Sequence, residues 1–326
     1  MEKKLIISPS PHIHGPASTS RLMMDVLIAL IPAFAVAVVV FGINALTVTA
    51  VSVAACVLTE YLIQRFLLKG PTTIGNYSAI LTGVLLAFNL PPTIPVWIII
   101  IGAVIAIGVG KMSFGGLGAN PFNPALVGRV FLLISFPQQM ATYVSPVPDA
   151  MSGATPLTFV KTALKEGKTI SEIMPELSSY QDMLVGLKGG SLGEVAALAL
   201  ILGFVYLLWK KVIKWHIPVI IIATMALFSG ILSWADSEHY MGPMFHIMAG
   251  GTLLGAIFMA TDYVTSPMNT KGVVIYAIGI GVITILIRVF GSYPEGMSFA
   301  ILIMNAVVPL LNKMKPRKFG EKLKKA

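Results

Sequence analysis

Leu22-Met-Met-Asp-Val-Leu-Ile-Ala-Leu-Ile-Pro-Ala-Phe-Ala-Val-Ala-Val-Val-Val-Phe41 decides the class of fold. The stretch holds one charge, Asp25, close to its start. A helix crosses the hydrocarbon of a bilayer with roughly 20 mostly apolar residues, and this run supplies them. Further apolar runs follow at approximately 46–64, 76–90, 95–110, 123–136, 191–209, 216–234, 244–260, 272–290 and 296–312. Gly, Asn and Pro interrupt or shorten the three runs between 76 and 136. Broken helices at membrane depth are tolerated where they line a cavity buried in protein. The expected fold is an all-α polytopic membrane protein of about ten transmembrane helices.

Composition agrees. Of 326 residues, 56% are hydrophobic and 11% charged, against about 25% charged in an average soluble domain. Such a chain cannot cover a soluble fold with a solvated surface, and it is too apolar for intrinsic disorder. Cys56 is the only cysteine, which excludes a disulfide scaffold. No apolar core precedes Leu22 in the polar opening, so no secretory signal is expected. The net charge of +9 would raise nucleic acid as a partner in a soluble protein. Here the basic residues flank apolar runs, so the excess belongs to membrane topology and no nucleic acid is expected.

With the N-terminus inside, Lys3, Lys4, Arg21, Arg65, Lys69, Lys111, Lys210, Lys211, Lys214, Lys271, Lys313 and the tail lysines and arginine fall on the inner side. Asp236, Glu238 and Glu295 fall outside, as does the long segment 137–190 with Lys161, Lys165, Lys168 and Lys188. The expected layout is therefore a first membrane half at 1–136, an extracytoplasmic segment at 137–190 and a second membrane half at 191–326, with both termini cytoplasmic. A five-helix unit that starts inside ends outside, so a second copy must be inverted. Leu81-Thr-Gly-Val-Leu-Leu-Ala-Phe-Asn89 before Pro91 and Leu254-Gly-Ala-Ile-Phe-Met-Ala-Thr-Asp262 before Pro267 share a pattern of small residues ending in Asn or Asp. Asn89 is expected to face the outer side and Asp262 the inner. Inverted repeats with interrupted helices are a transporter architecture.

In the outer segment, Pro148-Asp-Ala-Met-Ser152-Gly-Ala-Thr155-Pro-Leu-Thr158 reads first as a turn. Gly153 and Ala154 leave the backbone beside Thr155 uncluttered, so a bulky group can approach its hydroxyl and esterify it. Ser152-Gly-Ala-Thr155 followed by Pro-Leu-Thr158 resembles the flavin-attachment motif of the RnfD family, membrane components of the Rnf ion-translocating oxidoreductase complex. That family is similar to the NqrB family of the sodium-pumping NADH:quinone reductase. Three passages carry the resemblance along the chain: Ser8-Pro-Ser-Pro-His12 with Arg21 and Met24-Asp25; Gly115-Gly-Leu-Gly-Ala-Asn-Pro-Phe-Asn-Pro-Ala125; and Gly250 through Asp262 to Thr265-Ser-Pro267.

The resemblance implies FMN bound covalently to Thr155 through a phosphoester, within the motif Ser152, Gly153, Ala154, and installed by a separate flavin transferase. Chemically, Ser152, Thr158 and Thr162 are rival acceptors. Sodium-pump relatives often read Asp-Gly-x before the motif, whereas Asp149 precedes Ala150 and Met151 here, which favours the Rnf branch. Relatives also imply a non-covalent riboflavin in the membrane part. The implied function is that of a membrane component of a ferredoxin:NAD+ oxidoreductase that couples electron transfer to Na+ or H+ translocation in the cell (inner) membrane, with no catalytic residue of its own. No phosphate-binding Gly-x-x-x-x-Gly-Lys loop, dinucleotide fingerprint or cysteine cluster is present. Electrons must then arrive from partners, which include a second FMN-carrying subunit and iron–sulfur subunits. The spans alone would equally suit a channel or secondary transporter without a redox role.

Ionisable residues inside a bilayer are functional candidates by default. Asp25, Asn89 and Asp262 are candidate ion-path residues. Arg129, within the fifth run, suits a flavin phosphate, a partner carboxylate or a structural pair. An ion pair is the plain reading of Asp25 with Arg21 and of Glu60 with Arg65. Arg288 reads as a snorkelling side chain. The passage 112–125 reads either as a re-entrant element lining a cavity or as a tight loop in which Asn123 caps a helix started by Pro124. His216 and His246 stand far from any second ligand, so no metal site is expected.

Overall fold

The structure, a computed structural model, describes residues 18–143, 155–177, 179–186, 188–194 and 197–314. Ser8–His12, Ser152, Gly153, Ala154 and the tail beyond Met314 lie outside the described residues. Among the described residues the regular elements are all helical.

Helix α1 (Thr19–Phe41) starts at Ser18, whose hydroxyl accepts the Arg21 amide at 3.2 Å, an N-cap that satisfies one of the free amides of the first turn. Its 23 residues reach roughly 34 Å at 1.5 Å per residue. Helix α2 (Ile43–Leu62) runs on as a π turn to Leu67. Helices α3 (Ser78–Phe88), α4 (Val96–Val104), which also runs on as a π turn, to Val109, and α5 (Pro124–Ser135) complete the first group. The segment 137–190 holds the short helices α6 (Pro137–Ala141), α7 (Pro156–Lys165), α8 (Ile170–Ile173) and α9 (Tyr180–Val185). The second group comprises α10 (Ala197–Trp209), α11 (His216–Ala235), α12 (Pro243–Met248), α13 (Thr252–Leu254) with a π turn to Met259, α14 (Thr270–Phe290) and α15 (Met297–Asn312).

Five of these segments are long and apolar enough to cross a membrane: Thr19–Phe41, Ile43–Leu67, Val96–Phe114, His216–Ala235 and Thr270–Phe290. Ser78–Phe88, Pro124–Ser135, Ala197–Trp209 and Met297–Asn312 are apolar but shorter. A tenth apolar segment, Pro243–Met259, breaks between α12 and α13. The two groups pack alike. Helix α2 lies on α3 and α4, and α4 on α5; α11 lies on α12 and α14, and α14 on α15. The leading helix of each group, α1 and α10, pack on one another.

Lipid is as apolar as the side chains, so close packing rather than hydrophobic exclusion holds such helices together, and small residues allow it. At Gly203 on α10 a Cβ would lie 2.3 Å from the Ala29 carbonyl oxygen of α1. At Gly83 on α3 it would lie 2.6 Å from the Val53 Cα of α2. Only glycine permits either crossing.

Two run boundaries move. Helix α3 has 11 residues and covers roughly 16 Å, about half the hydrocarbon. Asn89 at its C-cap is consequently not on the outer face but buried, 2% exposed, inside the bundle. The run expected at 191–209 is helical only from Ala197 among the described residues. Its first residues form a turn that seals α3, with the Leu192 amide donating to the Leu90 carbonyl (3.1 Å) and the Gly193 amide to the Phe88 carbonyl (2.8 Å). Helix ends leave carbonyls without partners, and inside a bilayer another segment must reach in to bond them.

Candidate functional site

At the end of the bundle that carries α7, Thr155 is the N-cap residue and Pro156 the first helical residue, the position proline favours. The Thr155 Oγ1 accepts the Thr158 amide at 3.2 Å and lies 2.9 Å from Thr158 Oγ1. Sequence reading places this hydroxyl in the open; in the structure Thr155 is 1% exposed. The capping bond holds the side chain over its own first turn. Helix α7 is pinned to the membrane part by Lys161, whose Nζ donates to the Arg288 carbonyl (3.1 Å) and the Tyr293 carbonyl (2.9 Å). Partial burial lowers the Lys161 ammonium from its usual value, and Lys165 nearby adds to the shift.

Behind α7 lies a cluster of buried charges. Arg129 on α5 donates to Glu295 and to the Ser298 hydroxyl, so it is a structural pair that joins α5 to α15. Only its Nε lacks a partner. Arg288 does not snorkel. It is 5% exposed and donates to the His246 carbonyl (2.6 Å), the Ala249 carbonyl (3.1 Å) and the Thr252 hydroxyl (2.8 Å). A guanidinium with a fork of donors thereby satisfies the carbonyls that the break after α12 leaves free. Gly250 in that break has φ 66°, a left-handed conformation that suits glycine. Lys188 donates to the Met248 carbonyl of the same break. Burial lowers its ammonium, opposed by Glu194 and reinforced by Arg288. Glu194 accepts from Ser191 at 2.7 Å through one oxygen, while the other has no partner. Sequence reasoning missed Glu194, although an acid inside an apolar run was a visible signal.

At the opposite end of α14, between the two groups of helices, lies a cavity. Lys111, Asn120, Asn123 and Asp262 line it, with apolar walls from Leu22, Leu85 and Ile257. The passage 112–125 combines both readings made of it. Asn123 caps α5, accepting the Ala125 and Leu126 amides at 3.1 and 3.4 Å, and the same passage forms one wall of the cavity. Gly115, Gly116 and Gly118 all have positive φ, which explains their number in so short a loop. Asn120 Oδ1 is buried without a partner. Asp262 is half-buried and accepts the Val264 amide and Thr265 hydroxyl at 3.3 Å each. Desolvation holds its carboxyl above the usual carboxylate range against those two bonds.

Glu60 pairs with Lys111, not Arg65: Nζ lies 2.6 Å from Glu60 Oε2 and 2.6 Å from Ser78 Oγ. Gln64 and Thr73 complete the shell of Glu60. Asp25 likewise pairs with no Arg21; it accepts the Tyr206 hydroxyl at 3.1 Å and so ties α1 to α10. Asn89 donates to the Leu85 carbonyl at 2.6 Å and reaches Met259 Sδ at 3.6 Å. Asn123 donates to the Met259 carbonyl at 3.3 Å. The structure thus brings Asn89 and Asn123 to one residue of the broken span and sets Asp262 beside it, while Arg129 stands apart with Glu295.

Together these features define a multi-pass, all-helical membrane protein with broken spans, a mostly apolar cavity bearing a few polar side chains at one end and a capped threonine hydroxyl at the other. The chain belongs to the family described as NQR2, RnfD, RnfE, which matches residues 6–320. It is 47% identical to the RnfD-type component of the Na(+)-translocating ferredoxin:NAD(+) oxidoreductase complex of Acetobacterium woodii, covering 99% of this chain and 98% of that one. It is 46% identical to the corresponding component of the proton-translocating ferredoxin:NAD(+) oxidoreductase complex of Clostridium ljungdahlii, over 96% of each chain. Identity to the corresponding component of an ion-translocating oxidoreductase complex of Escherichia coli is 36%, over 97% of this chain and 98% of that one.

Proposed function

We propose that this chain is the RnfD component of an Rnf-type ion-translocating ferredoxin:NAD+ oxidoreductase, carrying FMN esterified through its phosphate to Thr155. The observation that carries the reading is similarity over the whole chain to two such components whose complexes differ in their ion. Their identities are nearly equal, so either Na+ or H+ suits this chain. In this reading it spans the cell (inner) membrane with both termini cytoplasmic and Thr155 extracytoplasmic, and its ten apolar segments form two inverted five-helix repeats. The matching pairs α2 with α3 and α4, and α11 with α12 and α14, support the repeat.

The residues around Thr155 fit a phosphoester. When bound, FMN supplies one- and two-electron chemistry. The cap uses a lone pair of Thr155 Oγ1, so an esterified oxygen still accepts the Thr158 amide. Thr158 Oγ1, 2.9 Å away, then serves as donor. A phosphate at that place meets the positive end of α7, and Lys161 holds the helix against α14. Because Thr155 is 1% exposed, the flavin transferase must reach the hydroxyl while the start of α7 is uncovered. A non-covalent riboflavin, implied by the family, is assigned to the cavity between the groups, where Asn120 Oδ1 offers an unused acceptor beside an apolar wall. Asp262 and Asp25 stand at the same end as candidate cation entry groups, and Asn89 deeper along the same path. The remaining Rnf subunits, including a second FMN-carrying subunit and iron–sulfur subunits, supply and remove the electrons.

Co-expression with a flavin transferase tests the reading. The chain's band on a denaturing gel should fluoresce under ultraviolet light, and Thr155→Val should darken it while Thr155→Ser keeps the signal. A dark parent band would favour a channel or secondary transporter without a redox role.

A further inference from the structure

A second, larger cavity opens beside the first, between the α10–α11 turn and the start of α14. Lys211, Lys214 and His216 line it, and no acidic side chain does. Among the described residues neither lysine has a carboxylate within ion-pair distance. The hydroxyl-bearing Tyr263 and Thr270 and the apolar Ile217 and Val273 are among the other residues of the wall. Trp209 and Trp215, both exposed, flank the turn, as tryptophans do at the boundary between hydrocarbon and headgroups. Lys211 is held at φ 56°, a costly conformation for a lysine. The tight turn thus sets the backbone from which both exposed side chains reach the cavity.

We infer that this cavity binds the headgroup of an anionic phospholipid, with Lys211 and Lys214 on the phosphate, the hydroxyls on the glycerol and the acyl chains along Ile217 and Val273. A cationic rim over an apolar floor at a membrane boundary is the chemistry of such a site. Val212, Ile213, Thr261 and Tyr263 line both cavities, so the lipid would brace the wall of the chamber that holds Asp262. The inference rests on the membrane-spanning reading but not on the flavin.

The test titrates the purified whole complex, in a zwitterionic detergent, with fluorescent phosphatidylglycerol. Lys211→Gln/Lys214→Gln should weaken binding by about twentyfold to thirtyfold, taking roughly fivefold per lysine near an anionic surface. Arg65→Gln/Lys69→Gln removes the same charge elsewhere at that end and should change it less than about twofold. An excess of inorganic phosphate should displace the probe poorly; displacement as complete as that by short-chain phosphatidylglycerol marks a free-anion site and overturns the proposal. Equal weakening by both double variants overturns it too, as does loss of another subunit with probe binding unchanged. A photoactivatable phosphatidylglycerol should label peptides within 209–217 and 261–273 of the parent complex, which keeps the proposal open to refutation if the variant fails to assemble. None of these readouts depends on flavin, so a dark gel band leaves the inference standing.

Discussion

Removing Lys111 should unfold its end of the bundle more readily than removing both members of its ion pair. Its ammonium lies 2.6 Å from Glu60 and from Ser78, and both charged side chains are at most 2% exposed. Truncating one partner of a buried pair costs about 3–5 kcal/mol, because the other charge remains buried and uncompensated. Lys111→Met leaves Glu60 with only Gln64 and Thr73 as donors. Glu60→Gln leaves the buried ammonium with neutral acceptors and no counter-charge. Replacing both removes the uncompensated charge in either direction. The double variant should lie within about 2 kcal/mol of the parent, since replacing a buried pair by neutral side chains is often close to neutral. The assay is reversible unfolding in mixed micelles of increasing dodecyl sulfate fraction, followed by circular dichroism for the parent, both single variants and the double. A coupling energy of about 3 kcal/mol or more is expected from this cycle. Strictly additive effects, with the double variant as unstable as the sum of the singles, would refute the view that the pair acts as one buried unit.

Other perturbations have separate outcomes. Thr155→Val removes a capping oxygen as well as the attachment point, so it should cost about 1 kcal/mol where Thr155→Ser costs little, measured by the melting of α7 in hydrogen exchange. Gly203→Ala puts a methyl 2.3 Å from the Ala29 carbonyl oxygen and should destabilise the α1–α10 crossing by about 1–3 kcal/mol, read in the same micelle titration. Arg288→Met leaves the His246 and Ala249 carbonyls to share the single Thr252 hydroxyl as donor; protection of the Ala249–Thr252 amides from exchange should fall and stability drop by about 1–3 kcal/mol. Arg129→Gln should loosen α15 through loss of Glu295 without darkening the flavin band, and a dark band would return Arg129 to the cofactor site.

Much of the architecture was legible because the bilayer imposes a strong and local code. A run such as Leu22–Phe41 needs no partner to declare itself, and lysines such as Lys210, Lys211 and Lys214 mark a helix end by their own hydration. Asn123 and Pro124 likewise announced α5 from a two-residue signal. Two misreadings share one cause: sequence proximity pairs a side chain with the nearest charge along the chain. Asp25 was matched with Arg21 and Glu60 with Arg65, yet their partners are Tyr206 and Lys111, 181 and 51 residues away. Arg288 was read as free to snorkel because the broken helix it caps belongs to a different span.

Sequence by itself determined that the chain is helical, membrane-embedded and a member of one redox-linked family, because apolar length and motif spacing are properties of contiguous residues. The packing of separate segments sets the burial of Thr155, the halt of α3 halfway and its sealing by Leu192 and Gly193, and which buried charges neutralise which. Those outcomes depend on where separate segments meet inside a medium of low dielectric, where every unpaired polar group must find a partner in space rather than in sequence.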